Sequence, residues 1–256
     1  MAKTIAITNQ KGGVGKTTTS VNLAAGLASA GRRVLLIDLD PQGNATTGSG
    51  VDKRALQRTV YQVLLGLGEI ASIRTPSQAG KYDLLPANRE LAGAEVELVA
   101  LPNREGRLKA ALAPLANEYE FVLIDCPPSL SLLTINGLVA AETVLIPMQC
   151  EYYALEGLSD LVGTIKRVRA HLNPALEIGG LLRTMYDPRN TLSQHVSAQL
   201  EQHFGDKVFK TLVPRNIRLA EAPSYGAPAV VWDRASKGAQ AYLALAEEIL
   251  AGAAAV

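Results

Sequence analysis

The stretch Asn9 to Ser20, NQKGGVGKTTTS, constrains this chain more than any other. It follows a short apolar run, KTIAIT (3–8), and precedes a segment where Val21, Ala24, Ala25 and Ala28 keep helical spacing up to Gly31. Glycines 12, 13 and 15 allow the backbone to turn its N–H groups inward and approach a phosphate, and a helix starting near Lys16 adds its positive end. In such a loop Lys16 reaches the terminal phosphates and the Thr17 hydroxyl ligates Mg²⁺. The ordinary pattern G-x-x-x-x-G-K-[ST] requires glycine at position 10. This chain has Gln10 there, and a second lysine, Lys11, stands at the mouth of the loop.

Beyond the loop, apolar runs of strand length recur at RVLLID (33–38), YDLLPA (82–87), EFVLID (120–125), TVLIPM (143–148), IGGLLRTM (178–185) and KVFKTLV (207–213). Helical segments are predicted between them at 104–117, 153–172 and 191–204, with a last helix over about 235–251. Alternating strands and helices predict an α/β fold: one domain over residues 1–256, with a mostly parallel, twisted sheet covered by helices on both faces. The stretch PQGNATTGSGVD (41–52), rich in small and polar residues, reads as a mobile loop.

Composition narrows the partners. A net charge of +1 over 256 residues gives no global basic field, so any nucleic-acid contact must come from a local patch. Two cysteines, Cys126 and Cys150, are too few for a disulfide framework and read as buried thiols. The loop begins too early for a signal peptide, and no apolar run reaches about 18 residues, so a cytosolic protein is expected.

Ligands of a parallel sheet bind outside the carboxyl ends of its strands. Three polar clusters follow three strands and should converge there: the glycine loop, Asp38-Leu39-Asp40, and Asp125. Asp125, ending an apolar strand, suits a water-mediated hold on Mg²⁺. Asp40 is the candidate for orienting the attacking water, since phosphoryl transfer needs positioning more than a strong base. Asp38 serves either the metal or the loop's hydrogen bonds.

The second lysine brings a resemblance. KGGVGKT has the form K-G-G-x-x-K-[ST], which resembles the deviant Walker A motif of the ParA/MinD group of P-loop ATPases. LLIDLDPQGNAT (35–46), DCPPSLSLLTINGL (125–138), EYYALEGL (151–158) and PRNIRLAEAPSYG (214–226) extend it, over nearly the whole chain, to the short Soj type of ParA partitioning ATPase. The resemblance implies ATP and Mg²⁺, with Lys11, Gly12, Gly13, Val14, Gly15, Lys16, Thr17 and Thr18 around the nucleotide and Pro214 and Asn216 at the adenine. It implies that Lys11, Lys16 and Asp40 are catalytic, Lys11 by crossing to the partner protomer's nucleotide in an ATP-sandwiched homodimer.

The same resemblance implies DNA binding without sequence preference by the dimer, slow ATP hydrolysis stimulated by a ParB-type partner, and nucleoid association. Between 160 and 240 there are eleven Lys/Arg against seven Asp/Glu, and Arg189 and Arg218 are the candidates for DNA contact. No helix-turn-helix extension precedes the first strand. A MinD-like membrane role would need a basic amphipathic tail, whereas the chain ends AYLALAEEILAGAAAV. An iron–sulfur ATPase would need a surface cysteine pattern, and a small-molecule ligase a separate substrate motif; neither is evident.

Overall fold

The computed structural model describes residues 2–254. Eight strands, β1 (Lys3–Ile7), β2 (Val34–Asp38), β3 (Thr75–Ser77), β4 (Tyr82–Leu85), β5 (Phe121–Asp125), β6 (Thr143–Gln149), β7 (Glu177–Tyr186) and β8 (Val208–Pro214), form one sheet in the order β3-β4-β2-β5-β1-β6-β7-β8. All neighbours run parallel except β3, which is antiparallel to β4. The helices before β5 are α1 (Lys16–Ser29), α2 (Asn44–Gly48), α3 (Val60–Leu65), α4 (Ile70–Ile73), α5 (Leu91–Glu97) and α6 (Arg107–Leu112). After β5 come α7 (Leu132–Ala140), α8 (Ala154–His171), α9 (Thr191–Phe204), α10 (Ile217–Glu221), α11 (Ala229–Trp232) and α12 (Lys237–Ala254).

The strands are continuously apolar because both faces are covered. Along β2, Val34 and Leu36 point into a core shared with α1 and α12, while Leu35 and Ile37 point into one shared with α3, α5, α7 and α8. Phe121 and Leu123 of β5 alternate with Val122 and Ile124 in the same way. Each fully buried leucine stabilises the fold by about 1.5–3 kcal/mol of transfer free energy. Helix α1 lies close on α12: a Cβ at Gly26 would come within 3.1 Å of the Ala246 methyl. The buried Tyr242 hydroxyl shares a hydrogen bond with Thr19 (3.0 Å).

Helix α1 stops as the sequence predicts, at Gly31 with φ +78°. The Gly31 and Arg32 N–H groups close on the carbonyls of Ala28 and Leu27, the pattern of a Schellman cap.

Two expectations need correction, and one strand went unpredicted. The predicted helix over 104–117 is only α6 followed by a 3₁₀ turn, Ala113–Leu115; Pro114 cannot donate to a continuing α-helical ladder. The edge strand β3 was not predicted, because TPS has only three residues and one proline. Residues 41–52 are not a free loop. They contain α2, and Thr46 and Ser49 are buried there, with the Ser49 hydroxyl bonded to the Ala45 carbonyl (2.7 Å) and to the Tyr82 hydroxyl.

Candidate nucleotide and metal site

The sheet topology brings the three polar clusters to one edge. In register, Asp125 at the end of β5 lies between Ile7 of β1, where the glycine loop departs, and Asp38 of β2. The loop passes from β1 into α1 through Gly13 and Gly15 at φ +74° and +89°, a region that other L-residues enter only with strain. Gly12 keeps an ordinary φ, and Cβ atoms built on Gly12 or Gly13 would meet nothing within 4 Å, so this side of the loop is open to a ligand.

Hydrogen bonds from the neighbouring strand ends brace the loop, two of them buried. The Asn9 amide donates to the Pro147 carbonyl at 2.8 Å and its Oδ1 accepts from the Lys11 backbone N–H at 3.0 Å. The Thr184 hydroxyl of β7 donates to the carbonyl of buried Val14 at 2.8 Å. Gln149 of β6 donates to the Gly13 carbonyl at 3.2 Å. None of Asn9, Gln149 or Thr184 was singled out from sequence, since their only signal is position at or just after a strand end.

Lys16 folds back over the loop, with Nζ donating to the Lys11 carbonyl at 3.0 Å. Burial holds its pKa below the usual lysine value, against the opposing pull of Asp125 and Asp40. Lys11 points elsewhere. Its Nζ meets Glu151 Oε2 at 2.5 Å, and both side chains are about half exposed (45% and 50%). Glu151 opens the EYYALEGL segment, followed by the exposed Tyr152 and Tyr153, which pack edge to face at 5.0 Å.

Asp125 is wholly buried. Its Oδ2 accepts from the Thr17 hydroxyl and its Oδ1 from the Ser20 hydroxyl, both at 2.8 Å. Ser20, one helical turn beyond Thr17, escaped the sequence reading, although the i, i+3 spacing puts both hydroxyls on one face of α1. Burial and the neighbouring Asp38 push the Asp125 carboxyl well above the ordinary carboxylate range. A divalent cation would relieve that cost. A hydroxyl and a carboxylate, both hard oxygen donors, fit Mg²⁺.

Asp38, equally buried and also raised chiefly by burial, is committed to the loop. Its Oδ2 accepts from the Thr46 N–H and hydroxyl, and its Oδ1 from the Asp40 N–H. These are the loop hydrogen bonds that the sequence offered as one of two roles for Asp38. Thr46 also accepts from the Ala87 N–H at 2.9 Å, fastening the loop to the end of β4. Asp40, half-buried, uses Oδ1 to accept from the Gln42 N–H at 2.8 Å. Its Oδ2 takes no hydrogen bond from any described residue.

Pro214 ends β8 beside Tyr186 of β7, at the same sheet edge. Asn216 caps α10, with Oδ1 accepting from the Arg218 N–H at 2.9 Å and the amide N–H groups left for another partner. Thr18 lines a 260 Å³ cavity with Thr17, Asn44 and Thr47, roofed by Leu219 and Pro223. Both predicted DNA-contact arginines are paired within the chain. Arg189 makes a fork onto Asp187 (3.0 and 2.9 Å), and Arg218 meets Glu221 at 3.0 Å and Asp233 at 3.2 Å while lying over the Trp232 ring. Arg183, counted among the late cations, is buried and bonded to Ser197, Phe209 and Glu201, which removes it from any surface patch.

The family model described as an AAA domain matches residues 2–178. The sporulation initiation inhibitor protein Soj of Bacillus subtilis is 53% identical over 98% of this chain and 99% of its own length. The chromosome partitioning protein ParA of Myxococcus xanthus is 52% identical over 98% and 88%. Among solved structures, a Mycobacterium smegmatis protein titled cobyrinic acid a,c-diamide synthase, with bound ADP and magnesium, superposes with a TM-score of 0.86 at 41% identity, covering 98% of this chain and 94% of that one. Identity of this depth over nearly full length, together with the two-lysine glycine loop, places the chain in the ParA/Soj family of P-loop chromosome-partitioning ATPases.

Proposed function

We propose that this chain is a DNA-partitioning ATPase that dimerises around ATP, binds DNA without sequence preference as that dimer, and is released when a ParB-type partner stimulates hydrolysis. The observation that carries the reading is the division of labour between the two lysines. Lys16 is buried over its own loop, whereas Lys11 stands outside it on an exposed ion pair. A lysine so placed is available to a second protomer, whose phosphates would otherwise repel the approaching Mg·ATP face.

In this mechanism the inward N–H groups from Gly12 to Thr18 bind the phosphates, and Lys16 neutralises their terminal charge. Thr17 and Asp125 would hold Mg²⁺, which would supply neutralisation of the phosphate charge. Ser20 fixes the Asp125 carboxylate. Asp38 fixes the backbone of Asp40, whose Oδ2 orients the attacking water in line with the phosphoryl group. Lys11 of the partner completes charge compensation, so the site works fully only in the dimer. Pro214 and Asn216 receive the adenine through backbone and amide groups. Arg189 and Arg218 contribute cations to the DNA surface by exchanging their intrachain carboxylates for phosphates. Cytoplasmic, nucleoid-associated localisation follows from that binding.

Two rival readings fit less well. No described helix is long and apolar enough to cross a membrane, and α12 has no basic residue in its last turn to anchor it to anionic lipid. Cys126 and Cys150 are both buried, which leaves no surface thiols to bridge a cluster between subunits. The proposal is tested by DNA binding of Asp40→Ala protein with ATP, with ADP and without nucleotide. Binding confined to the ATP state supports it, and nucleotide-independent or absent binding refutes it.

A further inference from the structure

A cleft of about 600 Å³ lies between two loop segments, one after α2 and one after β4, and is lined by Lys53, Arg54, Leu56, Asn88, Arg89 and Glu90. Three cations face one carboxylate there. The Arg54 and Arg89 side chains are exposed and make no ion pair or side-chain hydrogen bond with any described residue. Nearby Asp52 is occupied with the Arg54 backbone N–H at 3.0 Å. Elsewhere several arginines are neutralised, Arg32 and Arg33 by Glu120, Arg74 by Glu118, Arg189 by Asp187 and Arg218 by Glu221 and Asp233, while Arg169, Arg215 and Arg234, like the cleft pair, have no ion pair with any described residue. What sets the cleft apart is that two unpaired guanidinium forks line one concavity beside a lysine, and such forks match the paired oxygens of a phosphate.

The floor of the cleft is joined to the nucleotide site by hydrogen bonds. Lys53 Nζ donates to the Gln42 carbonyl at 2.5 Å, two residues beyond Asp40. Gly43 admits no side chain, since a Cβ would fall 2.8 Å from the Ala87 carbonyl and 2.9 Å from the Lys53 stem. The Asp38–Thr46–Ala87 chain of hydrogen bonds ties both walls to the end of β2.

We infer that the Lys53–Arg54–Arg89 cleft is a phosphodiester-binding site through which this chain contacts the DNA backbone, adding to any contribution from Arg189 and Arg218. The inference rests on the proposed DNA-binding function and assigns to it residues outside the late, C-terminal half of the chain. Arg54 and Arg89 grip phosphate oxygens, while Lys53 keeps the cleft in register with the loop that carries Asp40. Its position makes phosphate occupancy and the hydrolytic loop mechanical neighbours.

The test uses the full chain with Asp40→Ala as parent, and compares it with the same protein carrying Arg54→Ala and Arg89→Ala. Duplex DNA binding with Mg·ATP is titrated from low to high salt, with inorganic phosphate as competitor and ATP affinity as a control for folding. The double variant is expected to bind DNA roughly tenfold more weakly at moderate salt, with the log–log salt slope smaller by roughly two and ATP affinity unchanged. If the parent binds DNA and the double variant matches it in affinity and slope, the cleft assignment is wrong while the partitioning reading stands. If the parent does not bind DNA at all, both fail. Competition by millimolar phosphate as effective as by DNA of equal phosphate content would overturn the assignment in favour of a free-anion site.

Discussion

Lys11 and Glu151 lie 140 residues apart in the chain, yet their charged groups meet at 2.5 Å, at the rim of the glycine loop. The pair holds the second lysine away from its own cradle, and both partners are half exposed, so the hold is weak, in the range of about 0.2–1 kcal/mol. Such a contact is strong enough to position a side chain and weak enough to be exchanged for a triphosphate. Glu151→Gln is therefore expected to tighten ATP-dependent dimerisation by at most about fivefold. Sedimentation across a concentration series measures it; a loss of dimerisation would show that Glu151 serves the interface instead.

Asp38 and Asp40 are predicted to fail differently. Asp40→Ala should leave ATP affinity near the parent value and slow turnover by about 10²-fold or more, since it removes only a positioning group. Asp38→Ala leaves the Thr46 N–H and hydroxyl and the Asp40 N–H without their acceptor, which costs about 1–3 kcal/mol for each buried group left unsatisfied. Chemical denaturation with parallel steady-state kinetics separates the two. Equal stability losses would contradict the assignment.

Ser20→Ala removes one of the two hydroxyl donors to Asp125. The remaining carboxylate oxygen stays buried, so a destabilisation of about 1–3 kcal/mol is expected in the nucleotide-free protein. Saturating Mg·ATP should recover part of it by supplying a cation at the same place. Thermal midpoints with and without Mg·ATP report this, and an equal loss in both states would exclude a shared role with the metal.

The pH dependence follows from the same carboxylates. Burial raises the folded-state pKa of Asp125, and of Asp38 beside it, above the unfolded value. A carboxyl with a raised folded pKa binds more protons folded than unfolded, so its contribution to stability is greatest at acid pH and is lost as pH rises. In the nucleotide-free protein these two groups lower stability from about pH 4, the ordinary carboxylate value, up through their raised folded values. The Asp125→Asn variant should flatten that dependence in a thermal series, because its side chain does not titrate. An unchanged slope in the variant would mean the carboxylate is ionised without cost.

Much of this was legible from sequence, for a physical reason. Strands buried on both faces, such as β2 and β5, appear as unbroken apolar runs, and their final aspartates mark the ligand edge without further information. The loop's glycines and lysines lie adjacent in the chain, so their chemistry is local. What escaped notice depends on distant pairings. Thr46 is one of several small polar residues in 41–52 until Asp38 and Ala87 are seen on either side of it. A net count of charges over 160–240 also hides pairing: Asp187 and Glu221 stand two and three residues from Arg189 and Arg218 in the chain itself, and only the Asp233 contact of Arg218 needs the fold to be seen. Short elements such as β3 and α4 carry too few residues to show a period.

The most direct test of the account is the mass of Asp40→Ala protein by light scattering at saturating Mg·ATP, with and without a second change, Lys11→Ala. The account predicts a dimer for Asp40→Ala and a monomer for the double variant, even though both bind ATP. A monomer in both cases, or a dimer that survives loss of Lys11, would contradict it.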